Sequence, residues 1–143
     1  MTNEYIITID GKCIGNEQVG KERQAYWIAL FNRKCGESNR YYGEEKSKTI
    51  TNNKAEYNAL ILALEKLPEN AEAEIRTDSQ LVFGQLCEGW ENNNFINEVK
   101  KIDELIQKKK LKITFTKIDR EDNTADFVLN AHLKKIKQNN KAK

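Results

Sequence analysis

Proline occurs once and glycine seven times in 143 residues, which excludes collagen-like and proline-rich disordered chains. Histidine occurs once, leaving little room for histidine-ligand chemistry. The three cysteines, Cys13, Cys35 and Cys87, are odd in number and widely spaced, with no Cys-x-x-Cys pair. That argues against a disulfide framework or a structural zinc site, and the expected setting is a reducing, cytoplasmic one. No apolar run approaches the ~20 residues that a bilayer crossing needs, so no membrane partner is expected. The first residues, MTNEYIITIDG, lack a basic segment followed by a long apolar one, so no secretory signal is expected. What is present suits one domain. The length lies in the single-domain range, and twelve aromatic residues are enough for one modest core.

The net charge of +2 hides a split. Residues 1–99 hold 11 basic and 16 acidic side chains, whereas residues 100–143 hold 13 basic and 6 acidic. An acidic body with a basic C-terminal third suits a polyanion held beside a carboxylate cluster, although a solvated helix face with a basic tail has the same composition.

Periodicity divides the chain into elements. Residues 4–10 alternate and are rich in β-branched side chains, so they read as a strand; residues 24–34 read as a second strand and 40–44 as a weaker third. The period then becomes helical, with Tyr57, Leu60, Ile61, Leu64 and Leu67 on one stripe before Pro68. A strand is expected at 71–78, helices at 79–90 and 95–110, a strand at 111–118 and a last helix at 122–137. Residues 138–143 are expected to form a disordered basic tail. The order βββαβααβα predicts one α/β domain, a mixed sheet covered by helices, over residues 1–137.

Four carboxylates sit where structure alone would place something else. Asp10 lies in the Ile6–Thr8 row of the first strand, although Asp10-Gly11 is also a common hairpin turn. Glu56 shares the core-facing stripe of its helix with Leu60, Ala63 and Leu67; the other reading is a capping box, Asn53-x-x-Glu56. Asp78 closes the fourth strand, where it could also cap the next helix. Asp126 shares a face with Leu129, Leu133 and Ile136, and an acid near a helix N-terminus, capped by Asn123, would also explain it. Four such carboxylates meeting at one spot would repel, and cations would be needed among them. An all-oxygen donor set favours Mg²⁺ or Mn²⁺, and two such ions ~3.5–4 Å apart suit phosphodiester cleavage.

The chain resembles the type 1 ribonuclease H family in IDGKCIGN at 9–16, TNNKAEYNALILAL at 51–64, RTDSQLV at 76–82 and REDNTADFVLN at 120–130. The likeness covers about residues 4–134. It implies a ribonuclease H-like fold, a five-stranded mixed sheet of order 3-2-1-4-5 flanked by helices. It also implies an endonuclease that cuts the RNA strand of RNA–DNA hybrids and leaves 5′-phosphate and 3′-hydroxyl ends. Asp10, Glu56, Asp78 and Asp126 match the family's catalytic metal ligands for two Mg²⁺ or Mn²⁺ ions. Asn16, Asn52, Asn53 and Gln80 match residues that contact the hybrid in its minor groove, where 2′-hydroxyls distinguish RNA from DNA. Thr51 matches a contact to a DNA phosphate, and Gly11 and Cys13 lie in the segment that touches the RNA strand. The expected partner is an RNA–DNA hybrid, with double-stranded RNA a second candidate, and the expected state is a monomer.

Two departures from the family pattern stand out. Many members carry a basic protrusion after a Gly-Trp pair; here Gly89-Trp90 is followed only by ENNN, as in the subgroup without it. Affinity for the hybrid would then come from Lys100, Lys101, Lys108, Lys109, Lys110 and the tail. Many members also carry a histidine before the last helix, where this chain has Ile118-Asp119-Arg120-Glu121. Glu121 is therefore expected to move protons or metal during product release, and Arg120 to hold a phosphate. The one histidine, His132, reads as a helix surface residue, and Trp27 and Trp90 as core. A non-catalytic hybrid- or double-stranded-RNA-binding module of the same fold is the alternative. A 3′–5′ exonuclease would need an acid at position 12, which is lysine, and a transposase-type site would place its glutamate last.

Overall fold

The structure, a computed structural model, describes residues 4–14, 20–33, 35–89, 91 and 93–141, with backbone alone at 93 and 137–141. Strands β1 (Glu4–Ile14), β2 (Arg23–Arg33) and β3 (Ser38–Ser47) form an antiparallel meander. Strands β4 (Glu72–Thr77) and β5 (Lys112–Lys117) add in parallel on the far side of β1. The sheet order is therefore 3-2-1-4-5, as the resemblance implies. Helices α1 (Asn52–Lys66), α2 (Gln80–Cys87), α3 (Ile96–Lys109) and α4 (Thr124–Lys141) complete the expected order, with single 3₁₀ turns at Asn93–Phe95 and Arg120–Asp122. Five residues separate α2 from the first of these turns.

Strand alternation sorts the core into two layers. Ile7 and Ile9 of β1, Ala29 and Phe31 of β2, and Ala73 and Ile75 of β4 face α1, whose Tyr57, Leu60, Ile61 and Leu64 are buried against them. The opposite face is smaller. There Ile28 and Leu30 pack on Ala125 and Leu129 of α4. Asp10 stands opposite Ile28 and Lys12 opposite Tyr26, so both side chains share the α4 face.

Three expectations are corrected. β1 does not end at Asp10: its pairing with β2 continues through Gly11–Trp27 to Ile14–Gln24, which removes the hairpin-turn reading of Asp10-Gly11. β3 is a full strand over Ser38–Ser47 because β2 pairs with it along its whole length. α4 runs to Lys141, so residues 138–141 are helical rather than disordered; Gln, Asn and Lys there contain no helix-breaking glycine or proline. Trp27 packs beside the core as expected, and His132 stacks on Tyr42 at 4.2 Å between ring centroids. Trp90 lies outside the described residues. Lys109 is committed elsewhere than to a ligand: its ammonium donates to the carbonyls of Leu64 at 2.9 Å, Glu65 at 2.6 Å and Leu67 at 2.9 Å, closing the C-terminus of α1.

Candidate active site

β1 and β4 run side by side only as far as Thr8 and Arg76. β4 then stops at Thr77 while β1 continues, and the carboxylates collect around the gap. Asp10 is presented by β1. Asp78 is the first residue after β4, and it does not cap α2: Ser79 does, accepting from the Val82 amide at 3.2 Å.

Glu56 arrives from the other face of the sheet. It is not part of a capping box, because α1 is capped by Thr51, whose hydroxyl accepts from the Lys54 amide at 3.2 Å. Its Oε1 instead accepts from the Gly11 backbone N–H at 3.1 Å. That contact requires a glycine. A Cβ on Gly11 would lie 2.5 Å from the carbonyl carbon of Ala55 and 2.6 Å from the Glu56 nitrogen. The missing side chain lets α1 close on β1 and Glu56 reach the edge where Asp10 stands.

Asp10, Glu56 and Asp78 each offer a carboxylate oxygen within 4.8 Å of the others. Asp10 is 3 % exposed and Glu56 7 %. Burial, then the charges of Asp78 and Asp126, push the Asp10 carboxyl up to about 7 against a hydrogen bond from Glu56. Burial, followed by the charges of Asp10 and Asp78, holds Glu56 well above the ordinary carboxylate range. Asp10 Oδ2 and Glu56 Oε2 are buried without a hydrogen-bond partner among the described residues. Orphaned, mutually repelling, all-oxygen donors fit a hard divalent cation such as Mg²⁺ or Mn²⁺.

Asp126 is held differently. Its Oδ1 pairs with the Lys12 ammonium at 2.7 Å, and Lys12 also donates to Asn130 Oδ1 at 2.5 Å. Burial raises the Asp126 carboxyl, but the hydrogen bonds from Lys12 and Asp10 and the charges of Lys12 and Arg120 outweigh it and leave the group low. Asn123 caps α4, its Oδ1 accepting from the Asp126 amide at 3.1 Å. The same side chain donates to the Ile9 carbonyl at 3.2 Å and to Asp78 Oδ2 at 2.9 Å. One buried amide thus ties β1, Asp78 and α4 together.

The carboxylates open onto a cavity of about 390 Å³ lined also by Gly11, Lys12, Asn52, Asn53, Gln80 and Arg120. Asn52 and Asn53 are shared with a neighbouring cavity of about 490 Å³ that contains Thr51 and Lys54. Cys13 is half-buried beside the site; its amide donates to Asn52 Oδ1 at 2.6 Å and its thiol to the Ile50 carbonyl at 3.5 Å. Glu121 is exposed on the 3₁₀ turn before α4 and does not line either cavity. Asn16 lies outside the described residues. Sequence reasoning missed Lys12, whose place two residues beyond Asp10 on one strand face was the available signal. It also read Asn123 only as a cap, and it missed Asn130, one helical turn beyond Asp126.

A mixed sheet of this order, with carboxylates where β1 and β4 part, defines the ribonuclease H-like fold. The N-terminal RNase H domain of a Mycobacterium tuberculosis protein superposes with a TM-score of 0.69 at 23 % identity, over 94 % of this chain and 99 % of that one. LC11-RNase H1, solved in complex with an RNA/DNA hybrid, superposes with a TM-score of 0.67 at 27 % identity, over 85 % of this chain and 91 % of that one. The profile of the RNase H family matches residues 2–142, and the chain belongs to that family. Among curated relatives, Ribonuclease H of Xanthomonas oryzae pv. oryzae is 38 % identical over 94 residues, 60 % of this chain and 54 % of that protein. The chain spans about half the length of the curated relatives it matches.

Proposed function

We propose that this protein is a divalent-metal-dependent endonuclease that hydrolyses the RNA strand of RNA–DNA hybrids, leaving 5′-phosphate and 3′-hydroxyl ends. The observation that carries the reading is the convergence of Asp10, Glu56 and Asp78 with two buried oxygens that no described protein group satisfies. A structural domain gains nothing from such an arrangement, because each buried, unpaired carboxylate oxygen costs stability.

Asp10, Glu56 and Asp78 would hold one ion, and Asp126, across from Asp10, completes the family's set for two. Divalent ions held there supply the Lewis acidity that makes a water nucleophilic at neutral pH and offset charge on the leaving oxygen. The remaining work falls to the chain itself. Asn52, Asn53 and Gln80 present amides at the cavity mouth, where they can exchange hydrogen bonds with 2′-hydroxyls and base edges of a minor groove. Gly11 and Cys13 border the path of the RNA strand. The second cavity, at the N-terminus of α1, offers the Thr51 hydroxyl and Lys54 to a phosphate of the DNA strand. Arg120 lines the cavity beside the carboxylates and holds a phosphate, since the planar guanidinium fork matches phosphate oxygens. Glu121 stands outside the cavity on the same turn and moves protons or metal during product release. Cys13, Cys35 and Cys87 are thiols rather than disulfides, which suits action in a reducing cytoplasm.

Labelled RNA–DNA hybrid, double-stranded RNA and double-stranded DNA, each with Mg²⁺, Mn²⁺ or chelator, test the reading directly. Cleavage of the hybrid's RNA strand with metal, and none with chelator, is expected. Binding of hybrid without cleavage under any metal would establish the non-catalytic alternative instead.

A further inference from the structure

Lys12 is a feature of the site that the proposed reaction does not use. It stands two residues beyond Asp10 on the same face of β1 and reaches α4, where Asp126 and Asn130 lie one turn apart. Its ammonium forms an ion pair there with Asp126 Oδ1 at 2.7 Å and donates to Asn130 Oδ1 at 2.5 Å. The pair is largely shielded from solvent, with side-chain exposures of 23 % for Lys12 and 19 % for Asp126. The oxygens that converge closely enough to share an ion come from Asp10, Glu56 and Asp78, and Asp126 is not among them. Among the described residues, Asp126 is therefore the carboxylate of the four that a cation of the chain already holds in an ion pair.

We propose that Lys12 is a built-in counter-cation that competes with the second divalent ion for Asp126, making metal loading stepwise. The inference rests on the metal-dependent reading of the site. The first ion enters the Asp10, Glu56 and Asp78 triad, where no ion pair among the described residues has to be broken. The second must draw the Asp126 carboxylate away from an ammonium that Asn130 holds in place. A shielded pair at this distance is worth more than an exposed one, so the displacement sets the affinity of the second step. Lys12 is thus a positioning residue for Asp126, not a group acting on substrate. When the ion arrives, the released ammonium lies beside the cavity that the scissile strand would occupy.

Mn²⁺ binding to the nucleic-acid-free protein, followed by calorimetry and by paramagnetic resonance of the free ion, tests this without reference to cleavage. The wild type should bind one Mn²⁺ in a tighter step and a second at least about tenfold more weakly. Lys12→Met, which keeps the length and removes the charge, should tighten the weaker step about tenfold and leave the tighter one within about twofold. Lys12→Gln repeats the measurement if the methionine variant does not fold. Asp126→Asn should abolish the weaker step, and adding Lys12→Met to it should then change nothing. An unchanged weaker step, or equal tightening of both steps, overturns the role of Lys12. Absence of Mn²⁺ binding in every variant overturns the metal-dependent reading itself.

Discussion

Replacing Asp10 by Asn should stabilise the metal-free protein, and the gain should depend on pH. The Asp10 carboxyl is pushed from the ordinary 3.8 to about 7, first by burial and then by the charges of Asp78 and Asp126. A carboxyl raised in the folded state contributes fully to stability below its unfolded pKa, and that contribution is lost as pH rises through the folded value. The window therefore runs from about pH 4 to just above 7. At 1.36 kcal/mol per pKa unit, ionised Asp10 costs the fold up to about 4 kcal/mol at pH 8. Asparagine removes that cost; its amide can still pair with the Glu56 carboxyl but in a poorer geometry, a loss of about 1–2 kcal/mol that leaves a gain of about 2 kcal/mol. For a chain of this size that is roughly 6–10 °C in Tm.

The assay is thermal unfolding of wild type and Asp10→Asn in chelator between pH 4 and 8. The variant should be slightly less stable than the wild type at pH 4, where residue 10 is neutral in both folds and only the weakened hydrogen bond counts, and should overtake it to reach its full gain by pH 8. Comparing the two proteins cancels the opposite trend from Glu74, whose lowered carboxyl gives a stabilisation that is lost as the pH falls. Millimolar Mg²⁺ should then raise the Tm of the wild type at pH 8 and close most of the gap, because a ligand that binds only the folded state stabilises it. A Tm difference that is the same at pH 4 and pH 8, or a variant less stable than the wild type at pH 8, would refute the description of the cluster as strained by charge.

Gly11→Ala should cost about 2–4 kcal/mol in urea unfolding and remove cleavage together, because its methyl would have to displace the backbone of α1 at Ala55 and with it Glu56. A variant as stable as the parent would mean that α1 yields freely. Asn123→Ala should lose about 2–3 kcal/mol, combining the α4 cap with two buried hydrogen bonds, and its cleavage should fall even at temperatures where it is fully folded. Arg120→Ala should mainly raise KM, and Glu121→Gln should lower turnover several-fold with hybrid affinity intact; wild-type constants in both would remove the 3₁₀ turn from the mechanism. Lys134 and Lys135 are exposed on α4, and changing both to Gln should flatten the salt dependence of hybrid binding, by up to ~0.9 in slope for each phosphate no longer neutralised. An unchanged slope would place the backbone contacts on another surface.

The element order was legible because each element carries its own period, and Pro68 punctuates the first helix. The ends were less legible. Asp10-Gly11 reads locally as a turn, and only the pairing of β2 as far as Ile14–Gln24 shows that the strand continues. Asp78 and Glu56 each had a respectable explanation as caps, which Ser79 and Thr51 take over in the folded chain. Lys109 read as part of a basic surface, since nothing local reveals that the end of another helix lies within its reach. Lys12 shows the same limit within the site. Its position excluded one class of nuclease, yet its partner lies 118 residues away at Asn130, on an element whose placement depends on the whole sheet.

The location of the site follows from the sheet itself. β1 has an antiparallel neighbour on one side and a parallel neighbour on the other, so the chain connections leave in opposite senses on its two flanks. At such a switch point the loops after the parallel strands diverge and leave a crevice at their carboxyl ends. Here β4 ends at Thr77 and releases Asp78, while β1 runs on past Asp10 and is held by β2 alone. α1 covers one face of that gap and α4 the other, and each contributes an acid from its first turns. The crevice therefore needs no long loop, since strands and helices present three of the carboxylates and the short turn after β4 presents Asp78. That rigidity also explains why the repulsion persists. Strands and helices anchored in two separate core layers cannot splay apart to relieve charge, so the strain is left for a cation to release.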